Sequence, residues 1–219
     1  MPRALAIAVP GTPGRVCEDA ADVHPDGDAV ALADGLGSAA LGSLGSYSAV
    51  QLALGPVRMA ALSGHLDLGE RLRDAFFAWT EGDHRIASTC LFAIVGPNQV
   101  TLGQVGDGVA GVLYRDGTWE QLPPSSKDFG NETVALPRGI ARCRRWPRHA
   151  LRGLLLATDG VADDLLPEVL PRLAATLCRQ LLEEGVVPTE EKLKIWLENW
   201  RTPNSNDDRS IALMAWEDP

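Results

Sequence analysis

The stretch CLFAIVGPNQVTLGQVGDGVAGVLY, Cys90–Tyr114, decides the architecture. It holds three short apolar runs, Cys90–Val95, Val100–Val105 and Gly111–Tyr114, each bounded by Gly, Pro, Asn or Asp. Runs of this length with this punctuation read as strands. The connections between them are too short for a crossover helix. Working outward, four more runs of the same kind appear at Ala4–Val9, Val30–Ala33, Leu154–Ala157 and Ile211–Trp216.

The remaining periodic segments read as helices. Ser38–Leu54 is rich in small residues and is expected to end at Gly55-Pro56. Leu66–Trp79 sets Leu68, Leu72, Ala75, Phe76 and Trp79 at helical spacing. Thr189–Trp200 has Thr189 as its expected N-cap and Glu190 and Glu191 in its first turn. Ala162–Glu184 is helical too, its start divided by Pro167 and Pro171. The order is strands, two helices, a run of strands, then helices and a last strand. That order predicts an α+β fold: a two-layer antiparallel β-sandwich flanked by helices (α-β-β-α), not a parallel βαβ sheet. No linker or internal repeat interrupts it, so residues 1–219 are expected to form a single domain.

Composition narrows the function. Of 219 residues, 45% are apolar and 22% charged, which is ordinary for a globular chain. Twenty basic against 29 acidic residues give a net charge of −9, with a pI near 4.9. Such a chain is a poor binder of nucleic acid or of an anionic membrane surface. No run of about 18 apolar residues is present to span a membrane. The run after Arg3 is too short for a signal peptide, and the expected location is cytoplasmic. Cys17, Cys90, Cys143 and Cys178 form no CxxC pair and read as reduced thiols.

Five Asp-Gly pairs occur, at Asp26, Asp34, Asp107, Asp116 and Asp159. Asp26 and Asp116 sit between short apolar runs and read as hairpin turns. Asp34, Asp107 and Asp159 instead end apolar runs that read as central strands. Strand ends of this kind can converge at one sheet edge. Clustered carboxylates must either hold protons or bind a cation. An all-oxygen set without His or Cys suits Mg²⁺ or Mn²⁺. Glu18-Asp19 and Asp207-Asp208 add to the set. Helix caps and turns are the competing reading.

Taken in order, these segments resemble the metal-dependent protein phosphatase 2C (PPM) family, above all its compact bacterial members, over almost the full length. RVCEDA at Arg15–Ala20 is similar to the family's first motif, an Arg followed by an acid pair. Asp34–Ser38 (DGLGS) matches its DGxG motif, and Ala87–Thr89 resembles a GTT-like strand opening. Gly106-Asp107 matches GDS with Gly108 in place of Ser, Asp159–Asp163 matches DGxxD, and Asp207–Ser210 (DDRS) matches the terminal motif. The resemblance implies a Ser/Thr phosphoprotein phosphatase that hydrolyses phosphomonoesters with metal-activated water. It implies two tight Mn²⁺ or Mg²⁺ ions and a third, weaker one. Asp34 would bridge the pair, with the Gly35 carbonyl on one ion and Asp159 and Asp207 on the other. Glu18 or Asp19 would act through water, and Asp107 and Asp163 match the third position. Arg15 would bind phosphate, although it stands four residues before Asp19 where the family usually has five. Asp208 replaces the usual Asn and adds charge next to the ions. His24, His65, His84 and His149 fall in no catalytic motif and read as surface or structural residues.

The implied partner is a phosphorylated protein, with a cognate Ser/Thr kinase or its target as candidates, and a monomer is expected. Two rivals stay open: a phosphoprotein-binding pseudophosphatase, and a two-metal phosphoesterase for small molecules. Two features stand apart. Arg138, Arg142, Arg144, Arg145, Arg148 and Arg152 cluster in an acidic chain, as a charge-guarded edge strand or as a docking surface for phosphorylated or acidic partners. Residues 123–133 occupy the place of the family's flap near the active site.

Overall fold

The computed structural model describes residues 2–123, 133–200 and 206–217. Most of the flap-like loop, 124–132, lies outside them. The chain forms ten strands among the described residues: β1 Arg3–Val9, β2 Asp19–Val23, β3 Ala29–Asp34, β4 Cys90–Val95, β5 Gln99–Val105, β6 Val109–Tyr114, β7 Trp119–Gln121, β8 Arg142–Pro147, β9 Leu151–Ala157 and β10 Arg209–Ala215. They pair antiparallel in two sheets, ordered β1-β10-β9-β6-β7 and β2-β3-β4-β5-β8. The helices are α1 Gly42–Leu52, α2 Arg58–Leu62, α3 Leu68–Thr80, α4 Asp159–Ala162, α5 Leu170–Glu184 and α6 Val186–Glu198.

Strand alternation builds the layers. In β3, Val30 and Leu32 enter the core between the sheets, where they join Leu91, Leu154, Leu156 and Met214. Ala29, Ala31 and Ala33 leave on the other face, beneath α1 and α3. Their small side chains share a cluster with Ala49 and Val50 of α1, so that helix sits close behind the strand that ends at Asp34. On the opposite sheet, Leu155, Ile211 and Leu213 pack under Leu177, Leu181, Leu193 and Leu197 of α5 and α6. The order of layers is therefore helix, sheet, sheet, helix.

Two helix boundaries differ from the sequence expectation. The first helix begins at Gly42 and does not stop at Gly55-Pro56. It continues through a π-helical turn, Ala53–Val57, into α2. Proline lacks an N–H and crowds the carbonyl four residues back, and one widened turn accommodates it. Nor does Thr189 cap α6. The helix starts at Val186, and Thr189 Oγ donates backward to the Gly185 carbonyl at 2.7 Å. Pro188 stands in the first turn, where a missing N–H costs nothing. Glu190 and Glu191 thus lie beyond the first turn. The Asp116 turn is as expected, its carboxylate accepting the Thr118 N–H at 2.9 Å and hydroxyl at 2.6 Å.

Candidate functional site

Five chain segments meet at one end of the sandwich. Asp34 ends β3, Asp19 begins β2, Asp107 sits in the β5–β6 turn, Asp159 follows β9 and Asp207 precedes β10. A cavity of about 250 Å³ opens there, lined by Glu18, Asp34, Gly35, Leu36, Gly37, Asp107, Thr133, Asp159 and Asp207. Six of the eight expected metal-site residues line it: Glu18, Asp34, Gly35, Asp107, Asp159 and Asp207. Asp19 lies beside it, 8% exposed and paired in register with Asp34. Asp163 is exposed and does not line it, though its charge acts on Asp159. Arg15 is exposed on the preceding loop, and it is not brought to the cavity wall.

Each carboxylate is held by backbone that the sequence fixes locally. Asp34 N–H donates to Thr89 Oγ at 2.9 Å, while its carbonyl accepts the Thr89 N–H at 2.9 Å and the Ser88 hydroxyl at 2.7 Å. This is the work of the Ala87–Thr89 motif. Asp19 Oδ2 accepts hydroxyls from Thr158 at 2.9 Å and Ser210 at 2.6 Å. Those two residues belong to the other sheet, so Asp19 ties the sheets together at the cavity. Glu18 is fixed through its main chain: its carbonyl accepts the Ser46 hydroxyl at 2.5 Å and the Gly35 N–H at 3.1 Å.

Asp107 is presented by a turn that requires Gly108. That residue has φ of +91°, and a Cβ would lie 2.6 Å from the Ala157 carbonyl oxygen. The Ser that the family places here would strain the backbone. Gln104 braces the turn, its side-chain amide donating to the carbonyls of Gly106 and Gly108 at 3.4 and 3.1 Å. Gly160 lets α4 meet the terminal motif, since a Cβ there would lie 2.0 Å from the Asp208 carbonyl oxygen.

Sequence reasoning missed three participants. Thr133 donates to Asp107 Oδ2 at 2.5 Å. Thr158 and Ser210 hold Asp19, as above. Asp208, expected to add charge at the ions, instead accepts the N–H of Gly11 at 2.8 Å and of Glu18 at 2.5 Å. Consecutive side chains of an extended run leave on opposite sides. An adjacent pair such as Asp207-Asp208 therefore signals one carboxylate for the cavity and one for the loop behind it.

Burial sets the electrostatics. It raises the pKa of Asp34 and Asp19 well above the carboxylate range, and the charge of Asp19 pushes Asp34 up further. Asp159 is pushed up to about 6 by burial, then by the charges of Asp107 and Asp207. Cys17, next to Glu18, is pushed up to about 12 by burial and by Asp208 and Asp19, so it stays a thiol. Among the described residues, the lining includes no Lys, Arg or His to offset the acids. The donor set is carboxylate and carbonyl oxygen, which fits a hard divalent cation. Among the described residues, the group whose ligand atoms all fall within 4.8 Å of one another is a different one, His24, Asp26 and Asp28.

The sequence profile of a family described as protein phosphatase 2C matches residues 12–198. No curated protein sequence matches the chain. Among solved structures, the serine/threonine phosphatase Stp1 from Staphylococcus aureus is similar at a TM-score of 0.70 and 19% identity, over 99% of this chain and 96% of that one. The catalytic domain of the serine/threonine phosphatase PstP, in complex with two manganese ions, is similar at 0.66 and 20%, over 98% and 97%. PppA, a regulatory component of T6SS in Pseudomonas aeruginosa, is similar at 0.65 and 20%, over 98% and 97%. At these identities the likeness establishes the fold.

Proposed function

The chain belongs to the protein phosphatase 2C family, the protein-serine/threonine phosphatases, and from that premise we propose that it hydrolyses phosphoserine and phosphothreonine in proteins at a Mn²⁺- or Mg²⁺-dependent centre in this cavity. The observation that carries the reading is the cavity itself: carboxylates from five chain segments share one wall that, among the described residues, includes no basic side chain. Like charges so placed are costly without a cation. Asp34 and the Gly35 carbonyl would hold one ion, and Asp34, Asp159 and Asp207 the other. Glu18 would act through water, and Asp107 with Asp163 would serve a third, weaker ion. When bound, such a pair lowers the pKa of coordinated water and neutralises phosphate charge.

The chain's own residues supply position. Ser88 and Thr89 fix the Asp34 main chain, and Thr133 fixes Asp107. Asp19 is a positioning residue, locked by Thr158 and Ser210. Asp208 sets the loop from Gly11 to Glu18, and Arg15 on that loop would hold the phosphate from the rim. Leu36 and Gly37 also line the cavity, and among the described residues the lining includes no side chain able to act as an acid toward the leaving group other than the carboxylates. We take residues 1–219 as one phosphatase unit acting as a monomer on phosphoproteins, a Ser/Thr kinase or its target among them, in the cytoplasm. Among the described residues no helix is long and apolar enough to cross a membrane.

The exposed position of Arg15 favours a second reading, a phosphoprotein-binding protein with little turnover. One assay separates the two: hydrolysis of a phosphoserine peptide across a Mn²⁺ and Mg²⁺ series, beside phosphosugars and nucleotides. Metal-dependent hydrolysis that favours the peptide supports the phosphatase. Peptide binding without hydrolysis supports the second reading, and preference for the small phosphates sinks both.

A further inference from the structure

The arginine cluster is left unused by the site just described. Between Thr133 and Thr158 the sequence has six arginines and no acid, in a chain of net charge −9. The fold divides them. Arg152 belongs to β9, where its charge acts on Cys178 on the buried face of α5. The other five, Arg138, Arg142, Arg144, Arg145 and Arg148, follow β8, the outermost strand of its sheet, and its two ends. Arg144 pairs with Glu120 and lies over the Trp146 ring, 4.9 Å from its centroid, and Arg145 donates to the His65 carbonyl. Arg138 and Arg142 are exposed and Arg148 is half-buried.

This row begins at the cavity. Thr133, five residues before Arg138, lines it. Leu136 bridges to Ser88, and Ser88 bridges to Gly35, another lining residue. Arg142 lies opposite Gln104, which braces the turn around Asp107. From there β8 runs away from the cavity to Pro147, opposite Gln99, a span of about 17 Å at 3.3–3.4 Å per residue.

We propose that this row is a docking track for an acidic flank of the phosphorylated substrate, which rests on the phosphatase reading of the cavity. The occupant is an extended peptide segment whose phosphoserine or phosphothreonine enters the cavity. Its Asp and Glu residues, starting about three or four positions away on one side, lie along the β8 edge. Charge complementarity carries this choice. An acidic protein repels an acidic segment over most of its surface, and a local basic row reverses that field where the segment must lie. Guanidinium groups hold carboxylates in a bidentate fork. Main-chain pairing is not required, since the charge and Pro147 both guard the edge against an added strand.

The test compares two phosphoserine peptides of one length, one neutral and one with four Glu residues, made with the acids on either flank. Binding is read by fluorescence anisotropy and turnover by phosphate release. The acidic peptide, with its acids on one particular flank, is expected to bind about 10-fold more tightly and to show a correspondingly lower KM. Arg142→Gln with Arg148→Gln should cut that ratio to about 2-fold, as should about 0.5 M salt. Arg138→Gln, outside the strand, should reduce it separately in case the double variant melts early. Equal binding of the two peptides, or a preference that survives these variants, overturns the track. So does a single-stranded oligonucleotide of equal charge that binds as tightly. If neither peptide is hydrolysed the phosphatase reading fails, and the anisotropy still decides the docking.

Discussion

The β2–β3 hairpin carries acids at both of its ends, and the two ends are neutralised in opposite ways. At the turn, Asp26 and Asp28 meet Arg58. Its guanidinium donates to both oxygens of Asp28, at 2.6 and 2.5 Å, and to Asp26 at 2.7 Å. His24 Nδ1 accepts the Asp26 N–H at 3.1 Å. At the open end, Asp19 and Asp34 face each other beside Asp159 and Asp207, and among the described residues the cavity wall includes no guanidinium. Acid spacing alone marks the turn cluster as the better metal site, since its ligand atoms crowd within 4.8 Å. The partner reverses that judgement. Where the protein supplies its own cation the cluster is structural, and where the described wall supplies none the acids suit a bound ion.

The comparison breaks first at Asp34. Asp34→Asn should abolish phosphopeptide turnover in saturating Mn²⁺, because it removes the carboxylate proposed to bridge both ions. Wild-type turnover in that variant would end the two-ion account. At the other end, Arg58→Ala should leave two acids facing each other without their shared cation. Arg58 is 7% exposed. Breaking so buried a pair costs about 2–4 kcal/mol, with Asp26 exposed enough to keep the loss toward the lower figure. Thermal unfolding should show a drop of about 5–10 °C. A melting point unchanged within a degree or so would mean that the turn acids are as unneutralised as those of the cavity.

Smaller effects sharpen the picture. Arg15→Ala should lower kcat/KM about 10-fold, the low end for a charge-assisted hydrogen bond, because the residue is exposed. Calorimetry should find metal binding retained, and inhibition by inorganic phosphate should weaken in parallel. If Arg138→Ala does this instead, the phosphate contact belongs to the segment after Thr133. Asp208→Asn should matter least. It keeps one oxygen acceptor but loses the second, so either the Gly11 or the Glu18 N–H is orphaned, at a cost of about 1 kcal/mol in unfolding free energy.

The layers of the fold could be read from the sequence because each central strand is a buried run whose punctuation marks its ends. What misled was local chemistry with two solutions. Pro56 can end a helix or be absorbed by a wider turn, and packing of Val57 and Ala61 into the core beneath α1 and α3 favoured the second. Thr189 can cap forward or bond backward, and Gly185, already turning the chain between α5 and α6, took the cap. In the site, acids that end strands were legible, since an apolar run ending in Asp-Gly is unusual chemistry for a turn. Asp163 shares a motif with Asp159, and of the two Asp159 lines the cavity. The hydroxyls of Thr158, Ser210 and Thr133 were invisible because their partners lie far away in sequence, 139 residues in the case of Thr158 and Asp19. The meeting of the two sheets makes the two Asp19 pairs.

The central claim is that divalent ions replace protons on the cavity carboxylates. With folded pKa values raised above the ordinary carboxylate range, these groups hold protons as the pH falls, Asp159 through about 6 and Asp34 at higher pH still. Without metal, stability should therefore fall as pH rises from about 4 to 6, where the folded state binds more protons than the unfolded chain. The direct measurement is calorimetric titration of the metal-free protein with Mn²⁺ at pH 7, repeated in two buffers of different ionisation enthalpy. The account predicts about two tight ions per chain, with release of about one proton or more from the Asp19–Asp34 pair. Absence of tight Mn²⁺ binding, or tight binding with no proton released, would contradict it.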